Sequence, residues 1–213
     1  MTRPEIRIRR ARPSDADDIA RLVILSAEHF LPALFGSGIS EALRNLIAGC
    51  GTLFSHEHAW IAEEQGSTRG MLLGYTGAVK KSQDPRTGLA LLGLLRADLI
   101  RRLPGLLKLQ STIGRIGKDE LYISNVAVFP SDRGKGIGSL LIDRAREEAA
   151  RTGAREVVLD VETDNPDAQR LYERLGFRVK GETPALVLDG RPYSFRRMGL
   201  TVGDGPARWG SSD

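Results

Sequence analysis

The segment from Tyr122 to Phe177 constrains the fold of this chain more than any other, because its residue pattern alternates between strand, turn and helix. A strand is predicted from Leu121 to Val128, where β-branched and apolar residues dominate and Pro130 ends the run. Apolar residues at helical spacing then predict a helix, for which Gly153 is a suitable C-terminal cap. A second strand and a second helix follow, so the segment indicates a fold of the α/β class.

The turn between the first strand and the first helix has the composition of an anion-binding loop. It reads Arg133-Gly134-Lys135-Gly136-Ile137-Gly138. Its glycines let the backbone curl until successive N–H groups converge at the positive end of the helix dipole. Two known phosphate loops are excluded. The pattern G-x-x-x-x-G-K-S/T does not occur, and Ser139 or Leu141 replaces the third glycine of G-x-G-x-x-G.

The pattern that does fit this turn is R-x-x-G-x-G, and a second motif follows it. The second motif is N-x-x-A-x-x-L-Y-E-x-x-G-F, formed by Asn165, Ala168, Leu171-Tyr172-Glu173 and Gly176-Phe177. Together the two motifs resemble the GNAT superfamily of N-acetyltransferases, from about Leu121 to Val179. The preceding Asn125-Val126-Ala127-Val128 is similar to the ribosomal-protein alanine N-acetyltransferase branch of that family.

The resemblance implies the GNAT fold, an α/β (α+β) architecture with a mixed central sheet of about six to seven strands flanked by helices. We expect a single domain over residues 1–200, because 213 residues suffice for one substantial core, and a flexible tail over residues 201–213. The remaining predicted elements are an edge strand at Ile6–Arg9, a helix capped by Ser14, a helix at Ser40–Ala48, a hairpin of Ala59–Glu63 with Met71–Val79, and a closing hairpin of Pro184–Leu188 with Tyr193–Leu200.

Residues 80–119 depart from the family pattern, in which a short turn joins the strands on either side. Leucines at positions 89, 92, 95, 99 and 103 predict a helical insert between strands 3 and 4, broken at Pro104-Gly105. The arginines of this segment exclude a membrane span, which needs ~20 apolar residues. Three interpretations stay open: extra core or a lid over the acceptor site, a dimer contact, or a basic amphipathic surface for membranes.

Charge and cysteine content narrow the function classes. The net charge is +4, but basic and acidic residues are interspersed, which favours affinity for an anionic cofactor such as coenzyme A over nucleic-acid binding. The single Cys50 cannot form an internal disulfide, and no cysteine and histidine residues have metal-ligand spacing, so no metal is expected. Without a signal-peptide pattern, we expect a cytoplasmic protein with no stable membrane insertion.

The resemblance implies acetyl-CoA as the cosubstrate and assigns residues to it. Backbone N–H groups from Arg133 to Gly138 would bind the pyrophosphate, with Lys135 either near another phosphate or in solvent. In the family, the pantetheine arm lies along the preceding strand. That placement assigns main-chain groups of Val126, Ala127 and Val128 to the pantetheine and the thioester carbonyl.

Asn165 and Tyr172 are the residues of the second motif that we expect in the site. Asn165 is predicted to cap a helix with Pro166 at its first position, and the resemblance adds a cofactor contact for its side chain. Tyr172 lies two helical turns later, on the same face. The family's tyrosine at this position protonates the coenzyme A thiolate, and a buried aromatic ring is the structural alternative.

Asp160 is the candidate general base. It interrupts a run of apolar strand residues, and it stands where the alanine-acetylating branch has a glutamate. Two alternatives stay open: a salt-bridging role for Asp160, and a water chain carried by Glu120, Tyr122 and Ser124.

The leading hypothesis is an N-acetyltransferase that transfers the acetyl group of acetyl-CoA to a primary amine by direct attack in a ternary complex. The alternative is a non-catalytic acyl-CoA-binding or regulatory module on the same fold. No motif specifies the acceptor, a small molecule or a protein N-terminus, and a homodimer stays open. The resemblance makes Glu28, His29, Phe30, Phe35 and Glu41 candidates to touch the acceptor.

Overall fold

A computed structural model describes residues 5–36, 38–110 and 113–203, and it describes side chains in these ranges outside residues 95–110. The strands are β1 (Arg7–Arg10), β2 (Ala59–Glu64), β3 (Ser67–Thr76), β4 (Glu120–Val128), β5 (Glu156–Glu162), β6 (Arg178–Glu182), β7 (Leu186–Leu188), β8 (Arg191–Tyr193) and β9 (Phe195–Thr201). The α-helices are α1 (Ala16–Ser26), α2 (Phe30–Phe35), α3 (Ile39–Ala48), α4 (Gly77–Gln110), α5 (Ile137–Thr152) and α6 (Pro166–Arg174).

Seven strands form one mixed sheet in the order β1-β2-β3-β4-β5-β9-β6, and β7 and β8 form a separate two-stranded ribbon. Only β4 and β5 are parallel; the other neighbours in the sheet are antiparallel. The parallel pair is joined through α5, as a crossover connection requires. The predicted mixed sheet, with a helical insert between the third and fourth strands, is confirmed.

The sheet buries both of its faces, because successive strand residues point to opposite sides. On β3, for example, Met71 and Leu73 belong to one core, whereas Leu72 belongs to the other. The first core lies under α1 to α4 and includes Leu22, Val23, Leu43, Ile47 and Phe195. The second core lies under α5 and α6 and includes Leu141, Ala145, Val157, Leu159 and Tyr172.

Strands β4 and β5 separate halfway along their length, and this separation positions the site. Their pairing ends at Ile123 opposite Leu159. On its other edge β4 has a register shift, since Leu73 pairs with Asn125 but Gly74 pairs with Ile123, which leaves Ser124 as the extra residue of a β-bulge. Because β5 continues along β9 as far as Glu162, a gap opens between the two parallel strands.

Three predicted details near the N-terminus are corrected. Ser14 does not cap the first helix: residues 13–15 form a 3-10 turn, and the N–H of Arg12 donates to Asp15 Oδ2 at 2.7 Å. The segment around Pro32, for which the sequence predicts no helix, forms α2, because its apolar residues pack into the core. The β2–β3 turn is shorter than predicted, because Gln65 and Gly66 both adopt positive φ angles and close it tightly.

Residues 77–110 form one continuous helix, α4, so the predicted break at Pro104-Gly105 is wrong. The backbone of α4 stays helical through Pro104, at the loss of the hydrogen bond that a proline nitrogen cannot donate. Thr87 and Leu91 are buried, and α4 lies against α2, α3 and β7. Among the described residues, no helix has the length and hydropathy to span a membrane.

The C-terminal region differs from the predicted closing hairpin. The turn at Asp189-Gly190 joins only the short β7 and β8. After Ser194 the chain enters the main sheet as β9, between β5 and β6. Strand β6 was missed, because every residue in it is exposed and it has no apolar alternation. The tail predicted at residues 201–213 falls from residue 204 onward outside the described residues.

Candidate functional site

A cavity of about 920 Å³ follows the gap between β4 and β5. Its walls come from the glycine-rich turn, from α6, from α1 and α2, and from the residues after α4. Residues that line it include Gly134 and Gly136 at the turn, Tyr172 on α6, Phe30 and Phe35 on α2, and Ile113 and Gly114 after α4. One cavity therefore contacts both predicted motifs and the insert.

The glycine-rich turn is shaped to hold an anion. Gly134 and Gly136 have φ angles of 77° and 82°, which an L-residue adopts only with strain. A Cβ at either position would have no heavy atom within 4 Å, so the space in front of the turn is open. Within the described part of the chain, the N–H groups of residues 134–138 have no hydrogen-bond acceptor, and they stand at the N-terminal end of α5. This arrangement fits a pyrophosphate.

The two basic residues of the turn differ in their partners. Arg133 is exposed and lines the cavity. Lys135 does not line it; its Nζ donates to Asp132 Oδ1 at 2.7 Å, and this hydrogen bond is the main cause that lowers the pKa of Asp132. Of the two predicted environments for Lys135, the structure therefore shows a half-exposed side chain paired with Asp132.

Strand β4 has an unpaired edge beside the cavity. Val126, Ala127 and Val128 line the cavity, and on their other side they pair with β3. Because β5 has already separated from β4, no described strand covers the edge that faces the gap. Main-chain groups on that edge can bind an extended amide-containing chain, as an added strand would. Pantetheine, with its two amides, fits this edge.

Helix α6 places Tyr172 at the cavity. Asn165 caps α6 as predicted, since its Oδ1 accepts from the N–H of Ala168 at 3.1 Å. Gln169 fixes the helix to the end of β5: its Nε2 donates to the carbonyl oxygens of Glu162 and Thr163, both at 3.1 Å. Burial raises the pKa of Tyr172 to about 12. At that pKa the phenol is protonated at neutral pH. Its hydroxyl has no hydrogen-bond partner among the described residues, and Tyr172 lines the cavity, so the proton is available to a ligand.

Asp160 lies on the opposite face of the sheet from Tyr172 and lines the cavity. Only 3% of its side chain is exposed. Arg197 Nη1 lies 3.1 Å from Asp160 Oδ2, and the N–H of Gly114 donates to the same oxygen at 2.9 Å. Burial, and then the charge of Asp160, raise the pKa of Tyr122 well above its ordinary range. The insert thus ends at the predicted base and supplies one of its partners.

The residues of the predicted water chain have separate partners. Glu120 accepts from Arg197 Nη2 at 3.1 Å and from the N–H of Gly117 at 2.7 Å. Ser124 Oγ donates to Asn125 Oδ1, and Asn125 Nδ2 donates to Ser26 Oγ, both at 2.9 Å. Ser124 and Tyr122 line the cavity but Glu120 does not.

Glu162 is a cavity residue that the sequence reasoning missed. It follows Asp160 by two positions on β5 and therefore shares its face of the sheet, which is the signal that could have identified it. Its side chain is half-buried and lines the cavity. Burial raises the pKa of Glu162, and the nearby Asp164 raises it further.

Only two of the five residues predicted to touch the acceptor line the cavity. Phe30 and Phe35 line it, whereas Glu28, His29 and Glu41 are exposed and lie elsewhere. Other apolar residues of the cavity wall include Leu31, Leu34, Phe54, Ile113 and Phe195. In the described ranges, no three His, Cys, Asp or Glu side chains are grouped as metal ligands would be.

Comparison with known proteins gives one family match. The family model described as "Acetyltransferase (GNAT) family" matches residues 27–177. N-alpha-acetyltransferase 30 of Schizosaccharomyces pombe is 41% identical over 56 residues, which are 26% of this chain and 37% of that protein. Curated relatives of this chain are matched over 20% to 49% of their own length, so they share a segment with it and not their whole sequence.

Solved structures are similar over nearly the whole chain. An N-acetyltransferase from Staphylococcus aureus Mu50 superposes with a TM-score of 0.68 at 22% identity, covering 91% of this chain and 100% of that one. The protein yncA from Salmonella typhimurium, solved with its cofactor acetyl-CoA, superposes with a TM-score of 0.57 at 20% identity, covering 95% and 97% of the two chains. At these identities the likeness establishes a shared fold.

Proposed function

Because the chain belongs to the acetyltransferase (GNAT) family, we propose that it transfers the acetyl group of acetyl-CoA to a primary amine. The observation that carries this proposal is the single cavity that joins an anion-binding turn, an unpaired strand edge and a protonated phenol. An acyl donor with a pyrophosphate at one end and a thioester at the other matches these features in their order along the cavity.

Each part of the donor has proposed partners in the chain. N–H groups of residues 134–138 and the Arg133 guanidinium hold the pyrophosphate, and main-chain groups of Val126 to Val128 hold the pantetheine. The exposed Asn165 has its oxygen bound to its own helix, which leaves the side-chain amide free for the donor. Acetyl-CoA supplies the activated acyl group. The solved yncA structure, which contains acetyl-CoA, supports this choice.

We assign the proton for the leaving thiolate to Tyr172. Its pKa, raised to about 12 by burial, keeps the phenol protonated until a strong base forms beside it. Asp160, which the sequence predicts as the general base, is assigned a different part here: its buried carboxylate beside the cavity draws the acceptor ammonium to the opposite face of the gap. Arg197 and Gly114 already bind Asp160, so removal of the acceptor's proton is assigned to another group below.

An acceptor panel tests the proposal. Benzylamine, spermidine, L-lysine, glucosamine and a peptide with N-terminal alanine are each mixed with acetyl-CoA and the full chain, and free thiol is measured. At least one amine is expected to release thiol faster than acetyl-CoA alone, with one acetylated amine formed for each thiol. If coenzyme A binds tightly but no amine causes thiol release from acetyl-CoA, the result would contradict catalysis and favour the non-catalytic acyl-CoA-binding module instead.

The proposal extends to partners and location. The acceptor is a small molecule or a protein N-terminus, and the net charge of +4 is assigned to donor affinity and not to nucleic acid. Leu89 and Leu92 on α4 are 72% and 46% exposed, which supports a homodimer contact at the insert. We place the protein in the cytoplasm, where the exposed free Cys50 would stay reduced.

A further inference from the structure

Glu162 lies at the gap between β4 and β5, on the face of the sheet that α2 covers. It is the last residue of β5, and in the register of the sheet it is opposite Phe195, which packs under α2. Asp160 and Arg197 form the neighbouring opposed pair on the same face. Glu162 therefore points to the side of the sheet that carries Phe30 and the apolar wall, whereas Tyr172 approaches the gap from the other side.

The carboxylates on this face differ in their hydrogen-bond and ion-pair partners. Asp160 is held by Arg197 and by the N–H of Gly114, and Glu120 is held by Arg197 and by the N–H of Gly117. Oxygens that already accept hydrogen bonds from a guanidinium and from an amide N–H have fewer lone pairs left for an acceptor ammonium. In the described ranges, Glu162 forms no ion pair, and it lines the cavity.

The charged groups around Glu162 come from three elements. Asp164 follows β5, Arg191 is on β8, and His29 lies between α1 and α2. Burial raises the pKa of Glu162 most, the charge of Asp164 raises it further, and Arg191 and His29 act in the opposite direction. Asp164 itself is paired with Arg191, whose Nη2 lies 2.7 Å from Asp164 Oδ2. A base whose pKa approaches the working pH accepts protons from ammonium groups more effectively.

We propose that Glu162 receives the proton that the acceptor ammonium must lose before it attacks the thioester. This inference rests on the acetyl transfer proposed above. The Glu162 carboxylate becomes a carboxylic acid as the ammonium becomes a neutral amine. The amine nitrogen then bonds to the acetyl carbon while the carbon–sulfur bond breaks. Tyr172 gives its proton to the sulfur and regains one from the new amide nitrogen through water, and Glu162 returns its proton to solvent.

The test is the pH profile of kcat/KM with the best amine of the acceptor panel. Glu162→Gln should lose roughly a hundredfold or more in kcat/KM at neutral pH, and the acidic limb of its profile should disappear. Because Glu162 acts when deprotonated, any change in its pKa moves that limb. Asp164→Asn removes a neighbouring negative charge and should move the limb to lower pH. Arg191→Gln removes a positive charge and should move the limb to higher pH.

Opposite shifts in the two neighbour variants, with similar plateau rates, would support the proposal, because a merely structural effect would not reverse sign. An unchanged profile in Glu162→Gln, with coenzyme A affinity also unchanged, would overturn it. Shifts in the same direction for Asp164→Asn and Arg191→Gln would also overturn it. If the wild-type chain turns over no amine, the proposed acetyl transfer itself fails, and the role of Glu162 fails with it.

Discussion

Replacing Gly136 with alanine separates the anion-binding role of the turn from its role in folding. Gly136 has φ 82° and ψ 2°, in the left-handed region, and precedes the first residue of α5. An L-residue in this conformation costs about 1–2 kcal/mol. Since a Cβ at Gly136 would meet no heavy atom within 4 Å, no steric clash adds to that cost. We therefore expect Gly136→Ala to lower the free energy of unfolding by about 1–2 kcal/mol.

The effect on coenzyme A affinity should be larger than this strain alone produces. The new methyl group would stand in the open space in front of the turn, where we place the pyrophosphate. Displacing a phosphate oxygen from one N–H donor costs about 1.5–3 kcal/mol, the range for hydrogen bonds to charged groups. Calorimetric titration should then show the Kd for coenzyme A rising roughly ten- to a hundredfold.

Gly153 at the other end of α5 provides a matched control. It has φ 75° and ψ 13°, and a Cβ there also meets no heavy atom within 4 Å. Gly153→Ala should lose about the same stability, 1–2 kcal/mol, and leave the Kd for coenzyme A unchanged. Equal effects of the two substitutions on Kd would refute the placement of the pyrophosphate at the turn.

Three further predictions test other parts of the site and fold. Tyr172→Phe should lower the rate of thiol release by about 10²–10⁴ while the Kd for coenzyme A and the free energy of unfolding stay nearly unchanged; an unchanged rate would exclude the phenol as the acid. Arg197→Met should destabilise the protein by about 3–5 kcal/mol in urea unfolding, because it leaves the buried Asp160 without a cation, and adding Asp160→Asn should recover part of that loss; no recovery would contradict the pairing. Hydrogen bonds from Arg9 are the main cause that lowers the pKa of Asp15. The wild type should therefore have a higher free energy of unfolding than Arg9→Met, and this difference should be largest above roughly pH 4 and decrease as the pH falls below it. A difference that does not change with pH would contradict this.

Local patterns predicted the elements around the motifs well. Runs of β-branched and apolar residues identified β4 and β5, and the helical spacing of Leu141 and Ala145 identified α5, because each element buries residues of these types in a core. Gly153 and Asn165 were correctly predicted as helix caps, since capping depends on one residue's own conformation or side chain. Strand β6 lacks such a pattern, because it lies exposed at the edge of the sheet.

The parts of the site that sequence could not predict depend on contacts between distant segments. Asp160 meets Arg197 because β5 and β9 are antiparallel neighbours, and it meets Gly114 because the insert ends against the gap. Neither contact follows from local spacing. Spacing from Asp160 gives the face of the sheet on which Glu162 lies, but its place at a cavity wall depends on the separation of β4 from β5. The identity of a general base is thus a property of the assembled sheet.

The most direct test of the account is a crystal structure of the full chain with bound coenzyme A. We expect pyrophosphate oxygens within about 2.7–3.2 Å of backbone nitrogens in the turn at residues 134–138. We also expect the pantetheine to lie along the unpaired edge of β4, with its sulfur beside the Tyr172 hydroxyl. A pyrophosphate bound away from the turn, or a sulfur remote from Tyr172, would contradict the account.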